Sequence, residues 1–343
     1  MNKVKKILIG SGLIVVLVVV IAICAVALFQ SDSPTLPDTT DALPAGGTPE
    51  ITSSEVPTSE VTPSDSSSSD PSADSESEPP VTSEDPTVTE DPYTVVEMPS
   101  SEMYTGSLIV VGKDNPYSYR ASSIYTPTEL DRLSKNELSE LGWVSLYTGK
   151  GSLYLLRSRL IYLKTEAYTA FHQMMTDYVA KSGNRDVQVR YGYQLVSGTP
   201  DIASLTDEAA SGLLVEINVY TEEGSFSIDH VSKRAAYYEW FAANSYQYGF
   251  IMTGESGHFR YVGVPHAEYI TKKRLDLPSY VSLVAGYGYE TPLSFVDESG
   301  VLWQVYTVPA ASGAITEIKV PKGAIYTVSG NNKNGFIVLT RAK

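Results

Sequence analysis

The chain has 343 residues, a formal net charge of −15 at pH 7 and a single cysteine. One cysteine excludes an internal disulfide, and nothing in the charge balance points to nucleic-acid binding. The charge is uneven, because 17 of the 40 acidic residues lie in residues 31–104, which contain no Lys or Arg. The part that follows is nearly neutral and long enough for one large domain.

The N-terminus predicts a membrane anchor. Three lysines in residues 1–6 precede an uncharged, mostly apolar run, residues 7–29, whose length fits a bilayer core about 30 Å thick. A cleaved signal peptide is the alternative, since residues 25–27 offer a small-x-small site, but signal cores are usually shorter. We therefore predict a cytoplasmic tail, a single-pass anchor in the cell membrane, and a remainder that lies outside the cell.

Residues 30–104 predict a disordered tether. Ser, Thr, Pro, Asp and Glu dominate this segment, as in SDSSSSDPSADSESEPP. Such a composition buries too little apolar surface to offset the entropy of folding, and repulsion between its like charges extends it. We expect the tether to hold a folded domain away from the membrane.

Helical and strand patterns alternate in residues 105–277, which predicts an α+β domain. In GLLVEINVYT, the side chains of Leu213, Val215, Ile217 and Val219 share one face of a strand and Glu216 lies on the other. Further strands are predicted by GSLIVVG, DVQVRYGYQLVS and HFRYVG. Helices are predicted by TPTELDRLSKNELSELG, TEAYTAFHQMMTDYVAKSG, VSKRAAYYEWFAANSYQYGF and PHAEYITKKRL. From residue 278 short strand patterns dominate, which predicts a small β-rich appendage in residues 278–343.

Four motifs occur in order between residues 106 and 270. They are GSLIVVGKDNPY, a Trp-to-Tyr-Gly-Phe helix end at residues 240–250, the Glu-x-x-His of GESGH, and HFRYVG. As a combination they resemble the zinc D-alanyl-D-alanine carboxypeptidases of bacterial cell walls, including the vancomycin-resistance type. The resemblance implies a small antiparallel sheet flanked by helices.

The resemblance also implies a set of metal-site residues. In that family a Ser-x-His-x-x-Gly-x-x-x-Asp motif gives a histidine and an aspartate to zinc, and Glu-x-x-His gives the general base and the third ligand. The GESGH match implies Glu255 at the general-base position and His258 at one ligand position, and alignment on Gly212 implies Glu216 at the position of the aspartate. Ala209 then stands at the position of the first histidine.

Substrate binding departs from the family pattern as well. The family shows Ser-Gly-Tyr-Arg in a substrate-binding strand, and the counterpart here is YGYQ. The resemblance implies that Tyr193 and Gln194 face the substrate, with Gln194 in place of the arginine that binds the substrate carboxylate. Glutamine lacks the charge and the planar fork of that arginine.

Together these departures predict a degenerate metal site. A catalytic zinc needs three protein ligands and a bound water, whereas the matched positions offer only Glu216 and His258. We therefore predict no bound cofactor, with zinc as the alternative if Asp207 or Glu208 replaces the missing histidine. Simpler structural roles are assigned to the remaining histidines, His172, His230 and His266.

Three functions from different classes remain open. The first is an extracytoplasmic module that binds peptidoglycan stem peptides, or another cell-wall component, with little or no enzymatic activity. The second is an active metallo-D,D-carboxypeptidase with altered ligands, and the third is a structural envelope protein. The expected partners are therefore the cell wall and, through the N-terminal helix, the membrane, with no nucleic acid.

Overall fold

A computed structural model of the protein describes residues 91–118, 125–195, 205–228, 235–254 and 257–342. The predicted tail and anchor lie outside these ranges, as do Glu255, His230 and most of the predicted tether. Among the described residues, no helix is both long and apolar enough to cross a bilayer.

Six α-helices occur within the described ranges. They are α1 (Pro127–Leu130), α2 (Lys135–Glu140), α3 (Thr165–Ser182), α4 (Ala235–Asn244), α5 (Val264–Lys273) and α6 (Leu277–Val284). The sequence predicted one helix where α1 and α2 lie. The helix is interrupted because Ser134 caps α2: its hydroxyl accepts from the Glu137 N–H (3.3 Å), and the Glu137 carboxylate accepts from the Ser134 N–H (2.8 Å). Such a capping box starts a new helix.

Fourteen strands occur within the same ranges. The first nine are β1 (Tyr93–Pro99), β2 (Trp143–Ser145), β3 (Leu155–Leu156), β4 (Tyr162–Lys164), β5 (Val187–Tyr191), β6 (Leu214–Thr221), β7 (Gly224–Ser227), β8 (Phe250–Met252) and β9 (His258–Tyr261). The others are β10 (Leu293–Val296), β11 (Leu302–Pro309), β12 (Ile315–Pro321), β13 (Tyr326–Gly330) and β14 (Gly335–Arg341).

The run GSLIVVG, predicted as a strand, forms no strand. The Leu108 N–H donates to the Ser329 hydroxyl (2.9 Å) and the Val110 N–H to the Asn331 carbonyl (3.3 Å), so its donors are used outside any sheet. Its side chains alternate between two cores, because Ile109 packs in one cluster and Leu108 and Val110 in another. The segment therefore joins the two halves of the domain.

The central sheet has the strand order β3-β5-β6-β9-β8, and β7 pairs with β6 beyond the end of β9. Its pairs are antiparallel except for β3 with β5, which is parallel. The predicted apolar face of β6 is buried, with Val215 and Val219 fully inaccessible, against α3 and Phe241 of α4. The predicted mixture of helices and a largely antiparallel sheet is confirmed.

The C-terminal residues form a four-stranded antiparallel sheet in the order β10-β11-β14-β13, while β12 pairs with β1. The prediction of disorder up to Tyr104 is therefore wrong for its last part. Strand β1 and the following 3-10 helix, Ser100–Tyr104, are ordered because Val96 and Met98 pack against Ile318 and its neighbours. The sequence prediction missed them because the composition of residues 30–104, taken as a whole, is predominantly polar.

Helix α6 was not predicted, and it connects the C-terminal sheet to the preceding residues. The Asp276 carboxylate caps it by accepting from the Ser279 N–H at 2.7 Å. Its buried Tyr280 and Val284 share one cluster with Val262, which follows β9, and with residues of β11 and β14. The β-rich C-terminal segment thus shares a hydrophobic core with the region before it.

Candidate functional site

Glu216 and His258 lie side by side on neighbouring strands. They are register partners in the β6–β9 pair, and His258 Nε2 is 3.2 Å from Glu216 Oε2. Because side chains alternate along β6, Glu216 points away from the apolar core that holds Val215 and Ile217. Two of the residues implied by the resemblance therefore lie together, whereas Glu255 lies outside the described residues.

A third charged group completes this cluster. Arg190 Nη1 donates to Glu216 Oε1 at 2.7 Å, so both carboxylate oxygens of Glu216 have a partner. The contact depends on a β-bulge: Val189 faces Ile217 and Tyr191 faces Glu216, which leaves Arg190 as the extra residue of β5. A bulge bends its strand and redirects side chains, and here it is found where the guanidinium meets the carboxylate.

Exposure differs within this cluster, which we call the Arg190–Glu216–His258 cluster. The side chains are 35%, 13% and 20% exposed, in that order. A carboxylate as covered as that of Glu216 needs a cation or several hydrogen-bond donors, because desolvation destabilises an unpaired charge. A charge-assisted bond of 2.7 Å from a guanidinium meets this need. Arg190 was not among the candidate site residues identified in the sequence.

The segment before β6 holds Ala209 in a 3-10 helix, Glu208–Ser211. Asp207 caps this helix, since its Oδ1 accepts from the Ala209 N–H at 2.9 Å. Glu208 accepts instead from Arg260 Nε, also at 2.9 Å. Ala209 itself is 4% exposed and offers only a methyl group. Both neighbouring carboxylates therefore already have structural partners.

Gly257 fixes the approach of the His258 segment to β6. Its φ is +76°, in the left-handed region that favours glycine, and an added Cβ would lie 2.2 Å from the Ile217 carbonyl oxygen. The Ile217 N–H donates to the Gly257 carbonyl at 2.9 Å. The glycine of GESGH therefore brings the backbone into contact with β6 immediately before His258.

Comparison with known proteins identifies the relatives of this chain. No family model matches it. A D-alanyl-D-alanine carboxypeptidase from Enterococcus faecium is 27% identical over 258 residues, which cover 69% of this chain and 76% of that protein. This chain is therefore a homologue of D-alanyl-D-alanine carboxypeptidases. The vancomycin-resistance D,D-dipeptidase VanXYg, solved with a D-Ala-D-Ala phosphinate analogue, has the same fold, with a TM-score of 0.53 and 19% identity over 73% of this chain and 99% of that one.

This similarity raises the question of whether the side chains here fit a catalytic zinc. Two candidate ligands, Glu216 and His258, are together, but the position of the first histidine is the buried methyl group of Ala209. Among the described residues, no group of three or more His, Cys, Asp or Glu side chains is placed to hold a metal ion. The described donor set therefore does not fit a catalytic zinc site.

Next to the cluster lies the pocket that contains the substrate-binding positions implied by the family. We call it the Arg157 pocket; its volume is about 310 Å³. It is lined by Pro127, Arg157, Ser158, Leu160, Ile161, Arg190, Tyr191, Gly192, Tyr193 and Gln194. Tyr193 is only 3% exposed and packs against Trp143 at 4.3 Å between ring centroids. The backbone N–H of Gln194 donates to the Ala209 carbonyl at 3.3 Å, so the segment after β5 adjoins Ala209.

Two of the other histidines are described, and neither adjoins the cluster in the contacts found. His172 Nε2 lies 3.2 Å from the Gly149 carbonyl on an exposed face of α3. His266 is buried, and its Nδ1 lies 2.7 Å from the Tyr280 hydroxyl. Burial lowers the pKa of His266 to about 3, so its ring stays neutral at physiological pH. Both residues have structural contacts, as the sequence predicted.

Proposed function

We propose that this chain is a binding member of the D-alanyl-D-alanine carboxypeptidase family, which holds peptidoglycan stem peptides and has lost its catalytic zinc. The observation that carries the proposal is the pairing of Glu216 with both Arg190 and His258. The guanidinium gives the carboxylate the positive charge that a metal ion would otherwise supply. The cluster is thereby stable without a cofactor.

Charge makes a metal ion unfavourable at this place. A divalent cation beside Glu216 would lie close to the fixed positive charge of Arg190, which is 2.7 Å from the same carboxylate. No histidine at position 209 offsets that repulsion, since Ala209 has no ligand atom. Asp207 and Glu208 would have to abandon a helix cap and a buried arginine before either could become a ligand.

The second candidate function is an active metallo-D,D-carboxypeptidase with altered ligands, and one distance favours it. The 3.2 Å between His258 Nε2 and Glu216 Oε2 is close to the roughly 3.4 Å that separates two ligands of a tetrahedral zinc. Glu255, at the general-base position of the family, is kept in the sequence. In this reading a third ligand comes from outside the described residues.

Three measurements on the purified full-length protein test the proposal. We expect far less than one zinc per chain by elemental analysis, no D-alanine release from a stem pentapeptide, and measurable calorimetric binding of N-acetyl-D-Ala-D-Ala but not of its L,L isomer. Stoichiometric zinc with chelator-sensitive release of D-alanine would establish the enzyme instead. If the protein neither binds the peptide nor releases D-alanine, the remaining function is that of a structural envelope protein.

We also infer that residues 7–29 anchor the domain outside the cell. The three N-terminal lysines and the uncharged run that follows support this orientation. Protease added to intact cells should then cut within residues 31–90 and release a fragment containing the folded domain. A protease-resistant tether in intact cells, cut only after lysis, would contradict this topology.

A further inference from the structure

The Arg157 pocket carries a positive charge that the cluster does not neutralise. None of its lining residues is acidic, and two of them, Arg157 and Arg190, are arginines. Arg190 is paired with Glu216, whereas no carboxylate of the described residues lies within ion-pair distance of Arg157. The pocket therefore keeps about one unit of positive charge at neutral pH.

The guanidinium of Arg157 is held in place before any ligand arrives. The backbone N–H of Arg157 donates to the Val189 carbonyl at 2.9 Å, which extends the parallel pairing of β3 with β5. Its Nη1 donates to the Tyr191 hydroxyl at 2.5 Å, and its Cζ lies 5.2 Å from the centre of that ring. A cation positioned in this way loses less conformational entropy when it binds an anion.

Tyr191 lies next to both arginines. The Cζ of Arg190 is 5.3 Å from the ring centroid of Tyr191, almost the same distance as that of Arg157. The guanidinium of Arg157 has further N–H donors beyond the one used by Tyr191. These donors can bind both oxygens of a planar anion.

Part of the lining is apolar. Pro127, Leu160 and Ile161 contribute aliphatic surface. Gly192 adds no side chain, and a Cβ there would lie 2.7 Å from the Tyr162 carbonyl oxygen. A volume of about 310 Å³ is at the small end of ligand pockets, which suits a dipeptide terminus. A carboxylate attached to small aliphatic side chains matches this lining, whereas inorganic phosphate has no apolar part.

We propose that Arg157 binds the C-terminal carboxylate of the peptide ligand, replacing the family arginine whose position is occupied by Gln194. This inference rests on the proposed function, because it names the group by which the stem peptide is held. It assigns specificity to a residue that directly follows β3, in a different segment from the family motif. Tyr191 is a positioning residue that acts through Arg157.

The test compares two ligands on the full-length protein by isothermal titration calorimetry: N-acetyl-D-Ala-D-Ala and the same peptide with a C-terminal amide. Wild type should bind the acid at least tenfold more tightly than the amide. Arg157→Ala should reduce that ratio to about twofold or less, since a charge-assisted bond contributes roughly ten- to a hundredfold. Tyr191→Phe should reduce the ratio by a smaller factor.

Arg159→Ala is the matched control. Arg159 is a neighbouring exposed arginine, 71% accessible, that lies 3.6 Å from Asp131 and does not line the pocket. Its loss removes the same charge from the same surface and should leave the ratio of acid to amide affinity unchanged. If that ratio falls equally in Arg159→Ala and Arg157→Ala, the preference for the acid comes only from long-range electrostatic attraction. This result would overturn the assignment of Arg157.

The remaining outcomes separate this inference from the proposed function. If wild type binds acid and amide equally, peptide binding stands and the role of Arg157 is wrong. If the ratio of acid to amide affinity is unchanged in both Arg157→Ala and Tyr191→Phe, the assignment of Arg157 to the carboxylate is likewise wrong. If inorganic phosphate binds as tightly as the peptide acid, the pocket is a general oxyanion site. If neither peptide binds, the inference and the proposed function both fail.

Discussion

Arg260 and Arg190 both pair with a glutamate, yet their surroundings differ. Arg260 is fully buried, and it donates to Glu208 Oε1 at 2.9 Å, to the Ile109 carbonyl at 3.0 Å and to the Tyr261 carbonyl. Arg190 is 35% exposed, and the one carboxylate it contacts is that of Glu216, among the described residues. One guanidinium thus joins three segments of the scaffold, while the other borders a pocket.

The difference separates a structural ion pair from a less important one. Burial lowers the pKa of Arg260, and the nearby carboxylate of Glu208 opposes that shift. Its carbonyl partners leave its donors little freedom to move, because each is fixed in the backbone. The pair of Arg190 with Glu216 is partly solvated on the arginine side, so it should contribute less to stability than the pair of the fully buried Arg260. Mutations at the two arginines should therefore have unequal effects.

The largest effect is expected for Arg260→Met. The substitution leaves Glu208 without its cation and two backbone carbonyls without the arginine donor, which should lower the free energy of unfolding by about 3 to 5 kcal/mol. Urea unfolding followed by circular dichroism measures it. If Arg190→Met lowers the free energy of unfolding by as much, the distinction between a structural and a less important ion pair is wrong.

The buried side chain of His266 should make the stability of the scaffold depend on pH. Burial lowers its pKa to about 3, below the value of about 6.5 in an unfolded chain. Between these values the unfolded state binds a proton that the native state excludes, so stability falls as pH decreases through 6.5. Between pH 7 and 5 the loss from this group is about 2 kcal/mol.

The matched variant for this pH effect is His266→Gln. It removes the titrating group, so its free energy of unfolding should fall by about 2 kcal/mol less than that of wild type between pH 7 and 5. Urea unfolding at both pH values gives the two differences, and any constant cost of the substitution cancels. An identical fall in both proteins would mean that His266 does not set the acid sensitivity.

The sequence predicted the scaffold better than the contacts of the site. Strict alternation in β6 identified its buried face and put Glu216 on the polar side, and the family resemblance brought His258 beside it. The Arg190 contact was not predictable, because it depends on a bulge in a long-range strand pair. Arg157 was missed as well, since β3 has two residues and leaves no periodic pattern.

Within the cluster, zinc affinity tests whether Arg190 takes the place of the metal. Ala209→His adds the missing ligand but leaves the guanidinium on Glu216, so we expect only weak zinc binding. Combining Ala209→His with Arg190→Ala should raise the affinity at least about tenfold, because a fixed positive charge near the ion is removed. Competition with a chromogenic chelator measures both affinities.

The control for that experiment is Arg190→Ala alone, which lacks the third ligand and should bind zinc more weakly than the variant that combines it with Ala209→His. Neither histidine variant should release D-alanine well, since an oxyanion partner is still missing and the loss of one such donor costs about 10² to 10³ in rate. Adding Glu216→Asp and Gln194→Arg gives the variant with the best prospect of turnover. If Ala209→His binds zinc equally well with and without Arg190→Ala, the proposal that Arg190 takes the place of the metal ion is refuted.

The smallest effect is expected for the stability of Arg190→Gln. The variant keeps a hydrogen-bond donor near Glu216 and removes only the charge of a side chain that is 35% exposed, so solvent and His258 can stabilise the carboxylate instead. The free energy of unfolding should change by about 1 kcal/mol or less. The same urea titration as for Arg260→Met measures it, and a loss above about 3 kcal/mol would mean that this pair, like that of Arg260, belongs to the scaffold.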